Sequence, residues 1–200
     1  MEQLTGRNLN ISIFISGRGS NLLSLIKYSK IKKSKIKIKL VISNNKFSTG
    51  LEFAKKNKIK YHLINYSKKK QAELKILGYL MKHKIDFICL AGFMKILSSD
   101  FIRKFKKPIL NIHPSLLPKY KGLNTHRRAI KNKDKFSGAT VHLVAPKLDS
   151  GKTILQKKVR ISKSDTEQTL AKKVLKIEHK LYPAAIEKFL KKNLVFEEKI

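Results

Sequence analysis

The stretch from Asn10 to Tyr28, NISIFISGRGSNLLSLIKY, decides the fold. Asn10 to Ser16 is enriched in β-branched residues and predicts a strand, and Ser20 to Tyr28 reads as a helix. Between them lies Ser16-Gly17-Arg18-Gly19-Ser20-Asn21. Glycines let backbone approach a ligand, and free N–H groups at a helix N-terminus attract an anion such as phosphate. A strand–helix turn without a ligand uses the same residues, so both readings stand at this point. A complete dinucleotide motif is absent: Leu22 occupies the third glycine position, and no acidic residue ends the second strand.

The strand–helix alternation repeats outward from this unit. Lys35 to Ser43 predicts a strand, Leu51 to Asn57 a helix, Lys60 to Ile64 a strand and Lys69 to Lys84 a helix. Asp86 to Ala91 is a buried strand, Ser98 to Phe105 a helix and Pro108 to His113 another strand. Strand–helix repeats imply parallel pairing with right-handed crossovers, and near-continuous apolar strands imply a sheet covered on both faces. After residue 114 a helix at His126 to Asn132 precedes two apolar strands, Ala139 to Val144 and Thr153 to Ile161, close enough to pair antiparallel. Asp165 or Thr166 caps a long last helix running to about Leu190. The fold class is therefore α/β: an open, mostly parallel twisted sheet with helices on both faces and an antiparallel C-terminal extension. With no linker and no repeat, a single domain is expected over residues 1–200.

Composition narrows the class. The longest apolar run, Phe87 to Met94, is eight residues, too short to span a bilayer. The apolar stretch from Ile11 to Ile15 is too short for a signal peptide. The single cysteine, Cys89, allows no internal disulfide and no cysteine metal cluster. These features predict a cytoplasmic, metal-free protein without a membrane partner. The formal charge of +33 first suggests nucleic acid. However, 40 of the 46 basic residues are Lys, spread along the whole chain, whereas bidentate phosphate and base recognition favours Arg. The expectation is a solvated surface and no specific nucleic-acid partner.

The most informative segment is Asn111-Ile112-His113-Pro114-Ser115-Leu116-Leu117-Pro118. Asn111 and His113 are two apart at a strand end, so they share one face at the carboxyl edge of a parallel sheet, where such folds place ligands. An amide beside an imidazole can donate to a developing oxyanion and move a proton. Asp149, in Leu148-Asp149-Ser150-Gly151, is one of only five Asp. On meeting His113 it is expected to raise the imidazole pKa and orient the ring. Spacing alone leaves the bland alternative open, a structural His and a turn Asp. Ser115 beside His113 invites a Ser–His–Asp hydrolase reading, but no Gly-x-Ser-x-Gly elbow exists in the chain. Ser150-Gly151-Lys152-Thr153 imitates a P-loop, yet the first glycine falls at Pro146 and the segment leads into a strand. His142 either lines the site or is a core histidine. His62, His83 and His126 read as structural.

At these residues the chain resembles the phosphoribosylglycinamide formyltransferase family, the folate-dependent formyl carriers of purine synthesis, in its short form. The resemblance runs from about Ile11 to Leu190. It is carried by the Ser16–Asn21 loop, Leu90-Ala91-Gly92-Phe93-Met94-Lys95-Ile96-Leu97, Asn111 to Tyr120, Gly122 to Arg127, Thr140-Val141-His142, Leu148 to Gly151 and Glu178 to Pro183. It implies a Rossmann-like formyltransferase fold whose residues 10–110 bind phosphate and whose residues 111–190 carry catalysis and folate. It implies 10-formyltetrahydrofolate as co-substrate, no metal, small-molecule partners and a monomer or homodimer. By the same resemblance Asn111, His113 and Asp149 are catalytic. Gly19, Ser20, Asn21 and Glu178 bind the ribonucleotide; Lys69, Met94, Lys95, Ile96, Leu97 and Asn111 bind folate; and Thr140 holds a water. Lys69 stands where the family carries Arg, a point charge in place of a fork. The relatives that share the trio, methionyl-tRNA formyltransferase and formyltetrahydrofolate hydrolase, carry an extra C-terminal barrel or N-terminal regulatory domain. No room for either is expected before Asn10 or after Leu190. A non-enzymatic basic binding protein is the reading from a different class.

Overall fold

The computed structural model describes residues 8–195; the ends of the expected 1–200 domain, 1–7 and 196–200, lie outside the described residues. Strands β1 (Leu9–Ile15), β2 (Ile36–Ser43), β3 (Lys60–Leu63), β4 (Phe87–Leu90), β5 (Ile109–His113), β6 (Phe136–Leu143) and β7 (Thr153–Arg160) form one sheet in the order β3-β2-β1-β4-β5-β6-β7. The first five strands run parallel, and β6 and β7 add antiparallel. The helices are α1 (Ser20–Ser29), α2 (Gly50–Lys56), α3 (Lys69–Lys82), α4 (Ser99–Phe105), α5 (Thr125–Lys131) and α6 (Glu167–Val195).

The strand period of two builds both cores. Ile11, Ile13 and Ile15 of β1, with Phe87 and Cys89 of β4, pack beneath α1 and α6 against Leu22, Leu25, Leu181 and Tyr182. Phe14, Ile88 and Leu90 face the other way, onto Ile76 and Leu80 of α3 and Phe101 of α4. Burying a side chain of this size contributes about 1.5–3 kcal/mol, so both sheet faces and not helix propensity hold the elements together.

The expected α/β class holds, with local differences at element ends; α6, for example, runs to Val195 and not to about Leu190. Strand β6 begins at Phe136, three residues ahead of the expected Ala139, because Gly138 hides a strand from a propensity reading. A Cβ there would lie 2.1 Å from Lys157 O of the adjacent strand. At the start of α6, Thr166 is the cap of the two expected residues: it and Thr169 exchange N–H to hydroxyl bonds at 3.2 and 2.9 Å, and Asp165 accepts from Ser162 N–H at 2.7 Å.

The chain leaves β1 in one direction to β2 and β3, then returns to place β4 on the other side of β1. The loops after β1 and β4 therefore meet at the sheet's carboxyl edge, at the switch point where open α/β sheets hold ligands.

Candidate active site

Asn111 and His113 share a face because Leu110 and Ile112 point into the α6 core. On β6 the same core takes Ala139 and Val141, which turns Thr140 and His142 to the opposite face. The antiparallel register then sets Asn111 opposite His142 and His113 opposite Thr140. Asp149 arrives from the β6–β7 loop with φ 45. That loop folds back on β6 so closely that a Cβ at Gly151 would lie 1.8 Å from Leu143 O, which is why the turn after Asp149 needs glycine.

The result is a polar cluster in which His113 and His142 are buried and Asn111 and Asp149 half-buried. Asp149 Oδ2 is 3.5 Å from His113 Nδ1, and its Oδ1 is 3.6 Å from His142 Nε2. Gly122 N–H donates to Asp149 Oδ2 at 2.8 Å. His113 Nε2 donates to Tyr120 O at 2.8 Å. His142 Nδ1 donates to Leu143 O at 2.8 Å, which leaves its Nε2 to accept from Asn111 Nδ2 at 3.1 Å. That bond fixes the amide's orientation and leaves its second N–H for a ligand.

Both neighbours of the His113 ring accept only, so Tyr120 O and Asp149 favour the doubly protonated imidazolium. Burial opposes this and is the larger effect; with His142 and Arg128 nearby, the net pKa lies below the ordinary imidazole value. The expected rise is thus corrected: Asp149 pulls upward, but desolvation wins. For Asp149 burial pushes its pKa up, but His142, the Gly122 N–H and His113 together hold it below the usual carboxylate value. The pair is an ionised acid beside an imidazole that can take up a proton and release it.

Thr140 is fully occupied. Its hydroxyl donates to Ser115 O at 2.7 Å and accepts from Leu117 N–H at 3.1 Å and Gln156 Nε2 at 2.7 Å. The hydroxyl thus fastens the segment after β5 to β6 and β7. Ser115 Oγ donates to Lys119 O at 2.6 Å and not to His113, which removes the nucleophile from a hydrolase triad.

The glycine loop stands at the start of α1. Gly19 has φ 72, and a Cβ on it would lie 2.5 Å from Gly50 Cα, so only glycine lets the loop lie against α2. No side chain caps α1, which keeps its first N–H groups available to an anion. Asn21 Nδ2 donates to Glu178 Oε2 of α6 at 2.6 Å, while its Oδ1 is buried without a partner. Burial pushes the Glu178 pKa up and Asn21 pulls it down, for a net rise. Ser20 is partly exposed beside them. These residues, expected to serve together, do come together.

In the loop after β4, Met94 and Ile96 are 65% and 61% exposed while Leu97 is buried, so the loop offers an apolar edge. Lys95 is exposed beside them. The loop starts next to Asn111, since Leu90 is the register partner of Asn111. Lys69 lies elsewhere: it lines an open cleft of about 650 Å³ between α3 and α4, with Lys70, Glu73, Arg103 and Lys104. None of the trio lines that cleft. Sequence reading missed the backbone groups of Tyr120 and Gly122 that hold His113 and Asp149. His126, read as structural, is pushed below the ordinary imidazole pKa by burial, with Glu167 pulling it up. Among the described residues no group of His, Cys, Asp or Glu has the geometry of a metal site, and no helix is long and apolar enough to cross a membrane.

Known proteins resemble the chain over most of its length. Residues 9–186 match the formyl transferase family. The chain is 38% identical over 193 residues to phosphoribosylglycinamide formyltransferase of Escherichia coli K12, covering 95% of this chain and 91% of that protein. It is 40% identical over 184 residues to the human trifunctional purine biosynthetic protein adenosine-3, covering 90% of this chain but spanning only 18% of that much longer protein. The crystal structure of phosphoribosylglycinamide formyltransferase from Brucella melitensis superposes with a TM-score of 0.86 at 42% identity, over 92% of this chain and 96% of that one. The chain belongs to the formyl transferase family. Within it, these full-length relatives are phosphoribosylglycinamide formyltransferases.

Proposed function

We propose that the chain transfers the formyl group of 10-formyltetrahydrofolate to the amine of 5-phosphoribosylglycinamide. The observation that carries this reading is the buried meeting of Asn111, His113 and Asp149 at the sheet's carboxyl edge, beside an uncapped helix start and an apolar loop. The uncapped N–H groups from Gly19 to Asn21 suit a ribose phosphate, and Glu178 suits the glycinamide end. Met94, Ile96 and Leu97 suit a flat pterin, whose polar edge the loop's backbone can meet; Lys95 flanks them.

In the reaction the amine nitrogen bonds to the formyl carbon, the bond from that carbon to folate N10 breaks, and the proton the amine loses ends on N10, which leaves as the N–H of tetrahydrofolate. The free N–H of Asn111 and the imidazolium form of His113 stabilise the oxyanion that develops on the formyl oxygen, an electrostatic contribution usually among the largest. Burial keeps His113 neutral before reaction, so the ring is free to accept the proton leaving the amine, and the ionised Asp149 stabilises the imidazolium that forms. His142 keeps the Asn111 amide turned correctly. The products are formylglycinamide ribonucleotide and tetrahydrofolate. The chain acts on small molecules, as a monomer or homodimer, without metal and in the cytoplasm. Lys69, with Lys70, Arg103 and Lys104 around the α3–α4 cleft, suits a negatively charged end of the donor.

The test is the absorbance change as purified protein consumes 10-formyltetrahydrofolate with and without the ribonucleotide. Turnover only with the ribonucleotide supports the transferase. Turnover without an acceptor makes it a hydrolase, and no turnover rejects both.

A further inference from the structure

We infer that Ser16, first residue of the Ser-Gly-Arg-Gly-Ser-Asn loop, is a positioning residue for the folate loop after β4 and not a ligand of the nucleotide. The inference rests on the function proposed above, and it reverses what the motif suggests, since Ser16 sits in the stretch assigned to phosphate.

Every polar group of Ser16 is used inside the protein. Its N–H donates to Gly92 O at 3.1 Å. Its carbonyl accepts from Asn45 Nδ2 at 2.9 Å. Its hydroxyl donates to Asn44 Oδ1 and accepts from Met94 N–H at 2.7 Å. The residue is only 8% exposed, so nothing remains to meet a phosphate. The contacts instead cross the switch point from β1 to the loop after β4, at Gly92 and Met94. The Met94 side chain is 65% exposed, so its backbone anchor decides where the loop's apolar edge stands. At the loop's far end the Glu73 carboxylate accepts Ser98 N–H at 2.8 Å and the Ser98 hydroxyl, an anchor that comes from α3 and not from the phosphate loop.

Ser16→Ala removes the acceptor of Met94 N–H and leaves that amide in a partly buried place without a partner. Such a loss corresponds to roughly 5- to 150-fold in an equilibrium. The expected result is a rise of about tenfold in KM for 10-formyltetrahydrofolate, with KM for the ribonucleotide within about twofold of wild type. Hydrogen exchange of the Met94 amide, read by NMR without any ligand, is expected to quicken in the same variant. Ser16→Thr keeps the hydroxyl and is expected to restore both; Ser16→Cys, with its weaker acceptor, is expected to fall between and serves if the alanine variant does not fold. A rise confined to the ribonucleotide KM, equal rises in both, or unchanged KM with Met94 still protected overturns the inference. A wild-type chain that turns over no substrate overturns the function reading itself, while turnover with the wrong KM pattern overturns only the role of Ser16.

Discussion

Asp149→Asn isolates the charge at the centre of the site, because it keeps the shape of the side chain. The asparagine oxygen can still accept the Gly122 N–H that now donates at 2.8 Å. What it loses is a negative charge 3.5 Å from His113 Nδ1. At that separation an imidazolium and a carboxylate attract by at most about 5 kcal/mol at an effective dielectric near 20. A hydrogen bond to a charged partner has a net value of about 1.5–3 kcal/mol, and positioned acid–base groups contribute about 10²–10⁴ in rate. The upper end of that rate range is about 5.4 kcal/mol, close to the Coulomb ceiling. The expected outcome is a loss of 10²–10⁴ in kcat with substrate KM changed much less, since the charge matters once the ring is protonated. The asparagine NH2 also faces His142 Nε2, which already accepts from Asn111, so part of the loss comes from disturbing that amide. The assay is formyl transfer followed by absorbance, beside circular dichroism to show an intact fold. A folded variant with kcat within threefold of wild type refutes the reasoning.

Three further outcomes follow from the same geometry. His142→Leu leaves the Asn111 amide without its acceptor and is expected to lower kcat roughly tenfold, the value of one buried hydrogen bond, with little change in ribonucleotide KM; steady-state kinetics decide it, and an unchanged kcat refutes the orienting role. Burial, the largest cause in each case, pushes His62, His83, His113, His126 and His179 below the ordinary imidazole value. The fold thus favours neutral rings, so stability is fully present above about pH 6.5 and is lost as pH falls through the folded values, where the unfolded chain binds more protons. The Tm at constant high salt is expected to drop between pH 7.5 and 5.5; a flat or rising Tm contradicts this. Burial pushes the Cys89 thiol up to about 12, so a thiol reagent is expected to label it only after unfolding, and rapid labelling of native protein at pH 8 contradicts its place in the core.

Most of the fold is legible in the sequence. The strands from Asn10 to Ala91 are each followed directly by a helical stretch, because a parallel sheet must cover both faces with crossover helices. The late strands were harder. Gly138 lowers strand propensity locally but is required by the close passage of Lys157, a demand set by a residue nineteen positions away. No local pattern contains such a demand.

At the site the sequence by itself determined which groups face the same way. The spacing of Asn111 and His113 is a consequence of the two-residue strand period; that Gly19 and Gly151 lie against neighbouring backbone is set by the fold. Tertiary structure decided everything that depends on long-range register and on the absence of water. The pairing of β5 with β6 put His142 against Asn111 and saturated the Thr140 hydroxyl. The fold also made Ser16 a bridge to Met94, although it lies in a motif that reads as phosphate-binding. And it reversed the pKa of His113: a carboxylate neighbour alone raises an imidazole pKa, but burial removes the water that stabilises the charged ring, and only the packed structure says how much water is removed.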